Sequence, residues 1–514
     1  MKKILYIAVA MAAFSSCEPE FNNPVDEVGF YDQGQVDLST YVALGNSLTS
    51  GYADGALYID AQENSYPNIL ASKFAFAGGG NFTQPLMNDN IGGLLFNGQA
   101  IAGTRLVLSY DASGNPFPTN IAGSPTTEVT NTLEGPFNNM GVPGAKSYHL
   151  VAPGYGNAAG IGSTANPYFV RMASDAESTV LADAAAQSPT FFSLWIGNND
   201  VLTYAISGGT GEDRTGNLDP TSYNSNDITD PNVFAAVTSQ VVNTMTSAGA
   251  KGVLINIPDV TKVPFFTTVP NNALVLDAGQ AAQLTLFFQA VAGITTQGLI
   301  NQGVPAAQAQ QIAAQYAINF TEGANRWIID VPATQTNPLG FRQMTEEERV
   351  LLTIDRSALQ TQGYGSVAIT PDVLQVLGKL QQGAQITEAE ANLVIGAVNG
   401  IDDKDALDSS EINAIDTARS AYNSTLAGLA QQNDLILLDF EALFDRIAES
   451  GYQFNGGQVT TEFGSGGAFS LDGIHLTPRG YAIVAHEMIQ AINEQYEANL
   501  PGVNPADYPT VFVQ

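Results

Sequence analysis

The stretch Val42-Ala43-Leu44-Gly45-Asn46-Ser47-Leu48-Thr49 decides how this chain is read. Three consecutive apolar residues suit a strand buried on both faces of a parallel sheet, and Gly45 lets the chain turn sharply at its carboxyl end. Ser47 then sits just beyond that end, where open α/β sheets collect their ligands.

Working outward, the runs Phe191-Phe192-Ser193-Leu194-Trp195-Ile196, Val253-Leu254-Ile255-Asn256-Ile257 and Leu435-Ile436-Leu437-Leu438 share this character. Each precedes polar or glycine-rich residues, and together they predict the central strands. Between them, Asp230-Pro231 supplies a helix cap and a first-turn proline. Phe234, Val237, Val241 and Met245 follow at helical spacing as far as Gly249, which predicts a crossover helix. Strands alternating with helices imply an α/β fold of three layers, α/β/α, around a central parallel sheet.

The interval of about 262–433 separates two predicted core strands and reads as a large, mainly helical insertion able to form a lid or wall. Thr345-x-x-Glu348 and Asp408-x-x-Glu411 have capping-box spacing, and the second precedes Ile412, Ile415, Ala418, Tyr422, Leu426 and Leu429. Arg105 to Tyr110 followed by Asp111-Ala112-Ser113-Gly114 predicts part of a hairpin. Asp402, Asp403, Asp405 and Asp408 crowd one loop, but without the glycine and glutamate positions of an EF-hand. They read as a solvated loop leading into a helix rather than as a metal site.

The chain has 514 residues and 44% hydrophobic content, enough for a large core. Its 50 acidic residues against 18 basic ones give a formal charge of −32. That charge argues against nucleic acid, whose phosphates require clustered Lys and Arg, and disfavours anionic substrates. Lys2-Lys3, the apolar run from Ile4 to Phe14 and Ser15-Ser16-Cys17 read as a secretory signal over 1–16. Small residues directly before Cys17, the only cysteine, resemble a bacterial lipoprotein processing site. That resemblance implies lipidation of Cys17 and a membrane anchor at the outer membrane or cell surface. The stretch 17–38 then reads as a tether, 39–498 as one catalytic domain carrying the insertion, and 499–514 as a C-terminal tail.

A serine hydroxyl becomes a nucleophile when an imidazole accepts its proton and a third group fixes that imidazole's tautomer. Of the three histidines, His149, His475 and His486, only His475 has a carboxylate three residues upstream in a glycine-containing loop, Asp472-Gly473-Ile474-His475. Thr477-Pro478 then starts the last predicted helix, so His475 lies just ahead of a rigid element. His486 falls inside that helix pattern and reads as a surface or packing residue, and His149 as structural. Between Ser47 and His475 come Asn139-Met140-Gly141-Val142-Pro143-Gly144 and Gly197-Asn198-Asn199-Asp200.

These four motifs, in this order, resemble the SGNH, or GDSL-type, esterase and lipase superfamily. The resemblance implies a flavodoxin-like SGNH hydrolase fold and a carboxylic ester hydrolase, with Ser47 as nucleophile, His475 as base and Asp472 as its orienter. It assigns the oxyanion hole to the N–H groups of Ser47 and Gly141 and the side-chain amide of Asn199, with no metal or cofactor. Asn46 stands where the family usually has aspartate, which alters one charge beside the nucleophile. The substrate is left open between short-chain or lipid acyl esters and acetylated glycans. A non-catalytic surface-binding lipoprotein is the reading from another class.

Overall fold

In the computed structural model, residues 29–111 and 114–511 are described. The signal at 1–16 and the lipidation site at Cys17 lie outside them.

Five strands form one parallel sheet: β1 (Tyr41–Gly45), β2 (Asn139–Gly141), β3 (Phe191–Trp195), β4 (Lys251–Ile255) and β5 (Ile436–Leu438). Their spatial order is β5-β4-β3-β1-β2, every pairing is parallel, and this is the flavodoxin-like order. Every residue of β1 and β3 is buried, as their unbroken apolar runs require. Alternation sends Tyr41, Ala43, Phe191 and Trp195 to one face and Val42, Leu44, Phe192 and Leu194 to the other. Truncating one of these side chains, such as Leu44, to alanine would cost about 2–5 kcal/mol.

Helices cover both faces. α1 (Ser47–Ser50) is a single turn directly after β1. α2 (Tyr66–Phe74) packs on the first face, α3 (Asn198–Ile206) follows β3, and α4 (Pro231–Thr246) covers the second face. Asp230 caps α4 by accepting from the Asn232 and Val233 N–H groups, as its sequence predicts. The hairpin is present, with Leu106–Tyr110 paired against Pro116–Asn120.

The insertion differs from its expected form. A separate apolar core runs from Val269 to Ala406, built on α5 (Ala278–Asn301), α6 (Pro371–Gln381) and short two-stranded antiparallel pairs such as Leu274–Leu276 with Gly323–Asn325 and Ile328–Asp330 with Phe341–Gln343. Thr345-x-x-Glu348 opens no helix. Glu348 is fully buried, accepts from the Thr345 N–H, and binds Arg342 and Ser409. By contrast, Asp408 and Glu411 do form a capping box, at the start of α7 (Ser409–Asn433). Ile415, Tyr422 and Leu426 of α7 belong to the core of the central sheet. The last 25 residues assigned to the insertion are therefore the crossover helix that returns the chain to β5.

After β5 come α8 (Phe440–Ser450) and α9 (Pro478–Tyr496). Of the stretch expected as a tether at 17–38, residues 17–28 lie outside the described residues, while Val36 and Leu38 are buried in the core and Asp32 bridges Asn499. The tail beyond 498 is likewise held, with Leu500 and Val503 buried in the same cluster.

Candidate active site

Chain order separates Ser47 from His475 by more than 400 residues, and the sheet brings them together. Ser47 opens α1, whose N-cap is Asn46. The Asn46 Oδ1 accepts from the Leu48 N–H at 3.0 Å, and its Nδ2 donates to Asn198 Oδ1 at 3.3 Å. The neutral amide thus still caps the turn that carries Ser47, and its donor face meets the loop after β3.

His475 Nε2 lies 2.9 Å from Ser47 Oγ, and His475 Nδ1 lies 2.8 Å from Asp472 Oδ2. Asp472 is heavily supported. Its Oδ1 accepts from the N–H groups of Ile474 and His475 at 2.9 and 2.8 Å and from Ser470 Oγ. Its Oδ2 also accepts from the Gly55 N–H at 2.9 Å. Burial pushes this carboxyl upward, but the facing His475 and these backbone donors outweigh it and hold its pKa well below the usual range. Asp472 is therefore anionic across neutral pH and fixes the proton of His475 on Nδ1, leaving Nε2 to accept from Ser47.

Several supporting residues carry no signal in the sequence. The Tyr52 ring packs on the His475 imidazole with centroids 4.7 Å apart, and the Tyr481 hydroxyl donates to the Tyr52 carbonyl. Asp54, buried, accepts from the Leu471 N–H and the Tyr58 hydroxyl, while its own N–H donates to Ser470 Oγ. These bonds clamp the loop of Asp472 to the turn after α1, and only tertiary pairing reveals them.

The glycine motif requires a correction. The Gly141 N–H donates to Asn139 Oδ1 at 3.0 Å, so it is already satisfied. A Cβ built on Gly141 would lie 2.4 Å from the Ser50 nitrogen. This glycine exists so that β2 can touch the backbone of α1. Gly144, in the left-handed region at φ 79°, has an N–H with no acceptor among the described residues, and the next residue's carbonyl, Ala145, accepts from Asn199 Nδ2 at 2.9 Å. One hydrogen of the Asn199 amide and the Ser47 N–H are similarly uncommitted. Two glycines in one motif are indistinguishable by type, and only the close approach to Ser50 separates their roles.

The loop after Gly144 is anchored by Asp200, which accepts from the Ser147 N–H and hydroxyl at 2.9 and 2.6 Å. Lys146, almost fully buried, donates to the Asp227 carbonyl. Burial lowers its pKa to about 8 against the support of Asp200 and Asp227. His149 lies apart from Ser47, stacked on Tyr155 at 4.5 Å and accepting from the Lys146 N–H. Burial first, then Lys146, lowers its pKa to about 3, which keeps it neutral and structural. His486 sits on α9 beside Gln490.

The segment entering the insertion touches the loop of this site, while no residue of the insertion core lines the cavity beside Ser47. The Phe265 N–H donates to the Gly473 carbonyl at 2.9 Å, and the Leu352 N–H to the Phe265 carbonyl at 2.8 Å, so the loop of Asp472 and His475 leans on it. Beside Ser47 opens a cavity of about 40 Å³. Among the described residues, no group of three or more His, Cys, Asp and Glu side chains is arranged to hold a metal ion, and no helix is long and apolar enough to cross a membrane. Asp402 instead pairs with Lys404, Asp405 accepts from Tyr364, and Asp408 caps α7. Comparison of the chain with protein-family models, curated proteins and solved structures finds no match in any of the three.

Proposed function

We propose that this chain is a serine ester hydrolase of the SGNH, GDSL-type superfamily, working through an acyl-serine. The observation that carries the reading is the continuous line from Asp472 Oδ2 through His475 to Ser47 Oγ, with steps of 2.8 and 2.9 Å. Ser47 Oγ attacks the ester carbonyl as His475 Nε2 takes its proton. The carbonyl oxygen becomes an oxyanion that receives the N–H groups of Ser47 and Gly144 and the free hydrogen of Asn199 Nδ2. Collapse expels the alkoxide, which leaves as the alcohol with the proton from His475. Water, deprotonated by the same imidazole, then attacks the acyl-serine, and the acid leaves with Ser47 restored.

The reading also makes Cys17 the lipidated first residue of an exported protein held at the outer membrane or cell surface. Ser47→Ala is expected to abolish hydrolysis of p-nitrophenyl acetate, a loss of about six orders of magnitude in turnover, with the melting curve unchanged. A fluorophosphonate should label the wild type at Ser47. Undiminished turnover by Ser47→Ala, or an unlabelled wild type without turnover, would falsify the assignment.

A further inference from the structure

Ser47, Asn199 and His475, with Asn46 and Asn198, line a cavity of about 40 Å³ whose other lining residues are all apolar. Leu202 comes from α3, Val260 and Val263 from the connection after β4, Phe440 and Phe444 from α8, and Phe469 from the strip before Asp472. All six are buried. Apart from His475, no titratable side chain lines the cavity. A charged group entering it would lose water and, His475 apart, meet no ionisable partner, whereas a methylene chain gains by burial.

We infer, on the strength of the acyl-serine reading, that this cavity holds the acyl chain of the ester and selects unbranched, uncharged acyl groups of about four carbons. The limit follows from its size. Roughly 10–15 Å³ of such space holds one water molecule, so 40 Å³ holds about three, the room taken by the carbons beyond the carbonyl of a butyryl group. An acetyl group would leave most of it unused, and an octanoyl chain would overrun it. The two pairs of walls have different origins. Val260 and Val263 belong to the segment entering the insertion, while Phe440 and Phe444 are fixed on α8, with Phe440 packed edge-on to Trp195 at 4.7 Å.

The experiment is kcat/KM of the full chain on p-nitrophenyl acetate, butyrate, octanoate and hemisuccinate. Each methylene buried adds about fourfold, so the butyrate-to-acetate ratio is expected near 15, with octanoate and hemisuccinate at least tenfold below butyrate. Val263→Phe should cut the butyrate-to-acetate ratio at least fivefold, and Leu202→Ala should raise the octanoate-to-butyrate ratio by a similar factor, with folding followed by melting curves. A wild-type profile that is flat, peaks at octanoate or favours hemisuccinate overturns the acyl-pocket inference while leaving the serine hydrolase reading in place. Absence of turnover on every ester together with an unlabelled Ser47 overturns both. The wild-type profile decides the matter even if a variant does not fold.

Discussion

The sheet's carboxyl edge and the insertion from Val269 to Ala406 are built on opposite plans. At the edge, long-range parallel pairing brings residues more than 400 positions apart within hydrogen-bond reach, and almost every polar group is committed. The insertion encloses a core of its own, stitched by short antiparallel pairs of two or three residues a strand. The two plans meet at Leu351, buried in the core of the central sheet, and over backbone bonds at Gly473, Phe265 and Leu352. A region with an independent core can vary without disturbing the sheet, yet these bonds give it a direct hold on the loop carrying Asp472 and His475.

That contrast can be broken most forcefully at the edge. Asp472→Asn should lower kcat by about four orders of magnitude while the melting temperature moves by only a few degrees; a loss of less than tenfold would mean that His475 is oriented by something else. Asn199→Ala should cost about two to three orders of magnitude in kcat with little change in KM. The same loss confined to KM would make Asn199 a binding residue instead.

The junction between the two regions gives a smaller effect. At Gly473 the chain adopts φ 73°, and a Cβ would meet the Phe265 nitrogen at 3.0 Å. Gly473→Ala should strain the loop by about 1–2 kcal/mol and lower kcat by roughly tenfold. Full activity in that variant would show that the contact with Phe265 is not coupled to the loop.

The smallest expected effect on turnover lies at Glu411, where α7 begins. Burial raises its pKa to about 8, with Asp408, Asp403 and Glu348 adding to the rise against the Asp408 N–H. The folded state thus holds a proton that the unfolded chain releases near 4.5. Its contribution to stability is present in full below pH 4.5 and is lost as pH rises through 8. Relative to Glu411→Gln, the wild type should lose melting temperature across that window, and parallel curves would contradict the shift.

What could be read in advance follows from range. β1, β3 and β4 were legible because strands buried on both faces write themselves as unbroken apolar runs, and the pairing of Asp472 with His475 was legible because it is local. β2 was not, since three residues including an asparagine make no periodic pattern. The resemblance assigns the donor to Gly141, and residue type alone cannot tell a glycine that admits a neighbouring backbone from one that frees an N–H. Thr345 and Glu348 have the spacing of a helix cap, but Glu348 is claimed by Arg342 and Ser409 from elsewhere in the fold. Val36 and Leu38 read as part of a tether because the segment that holds this stretch, Tyr496 to Asn499, is distant in sequence.

The pairing of those two segments fixes how far they lie from the catalytic loop. Gln35 and Asp32 bond to Tyr496, the last residue of α9, and to Asn499 just beyond it, whereas His475 lies just before its N-terminus. A helix of 19 residues is about 28 Å long, and Tyr496 reaches Gly252 at the opposite margin of the sheet. Residue 32 and Ser47 are therefore held at opposite ends of one rigid rod, and a load applied at the first reaches the second only through the whole length of α9.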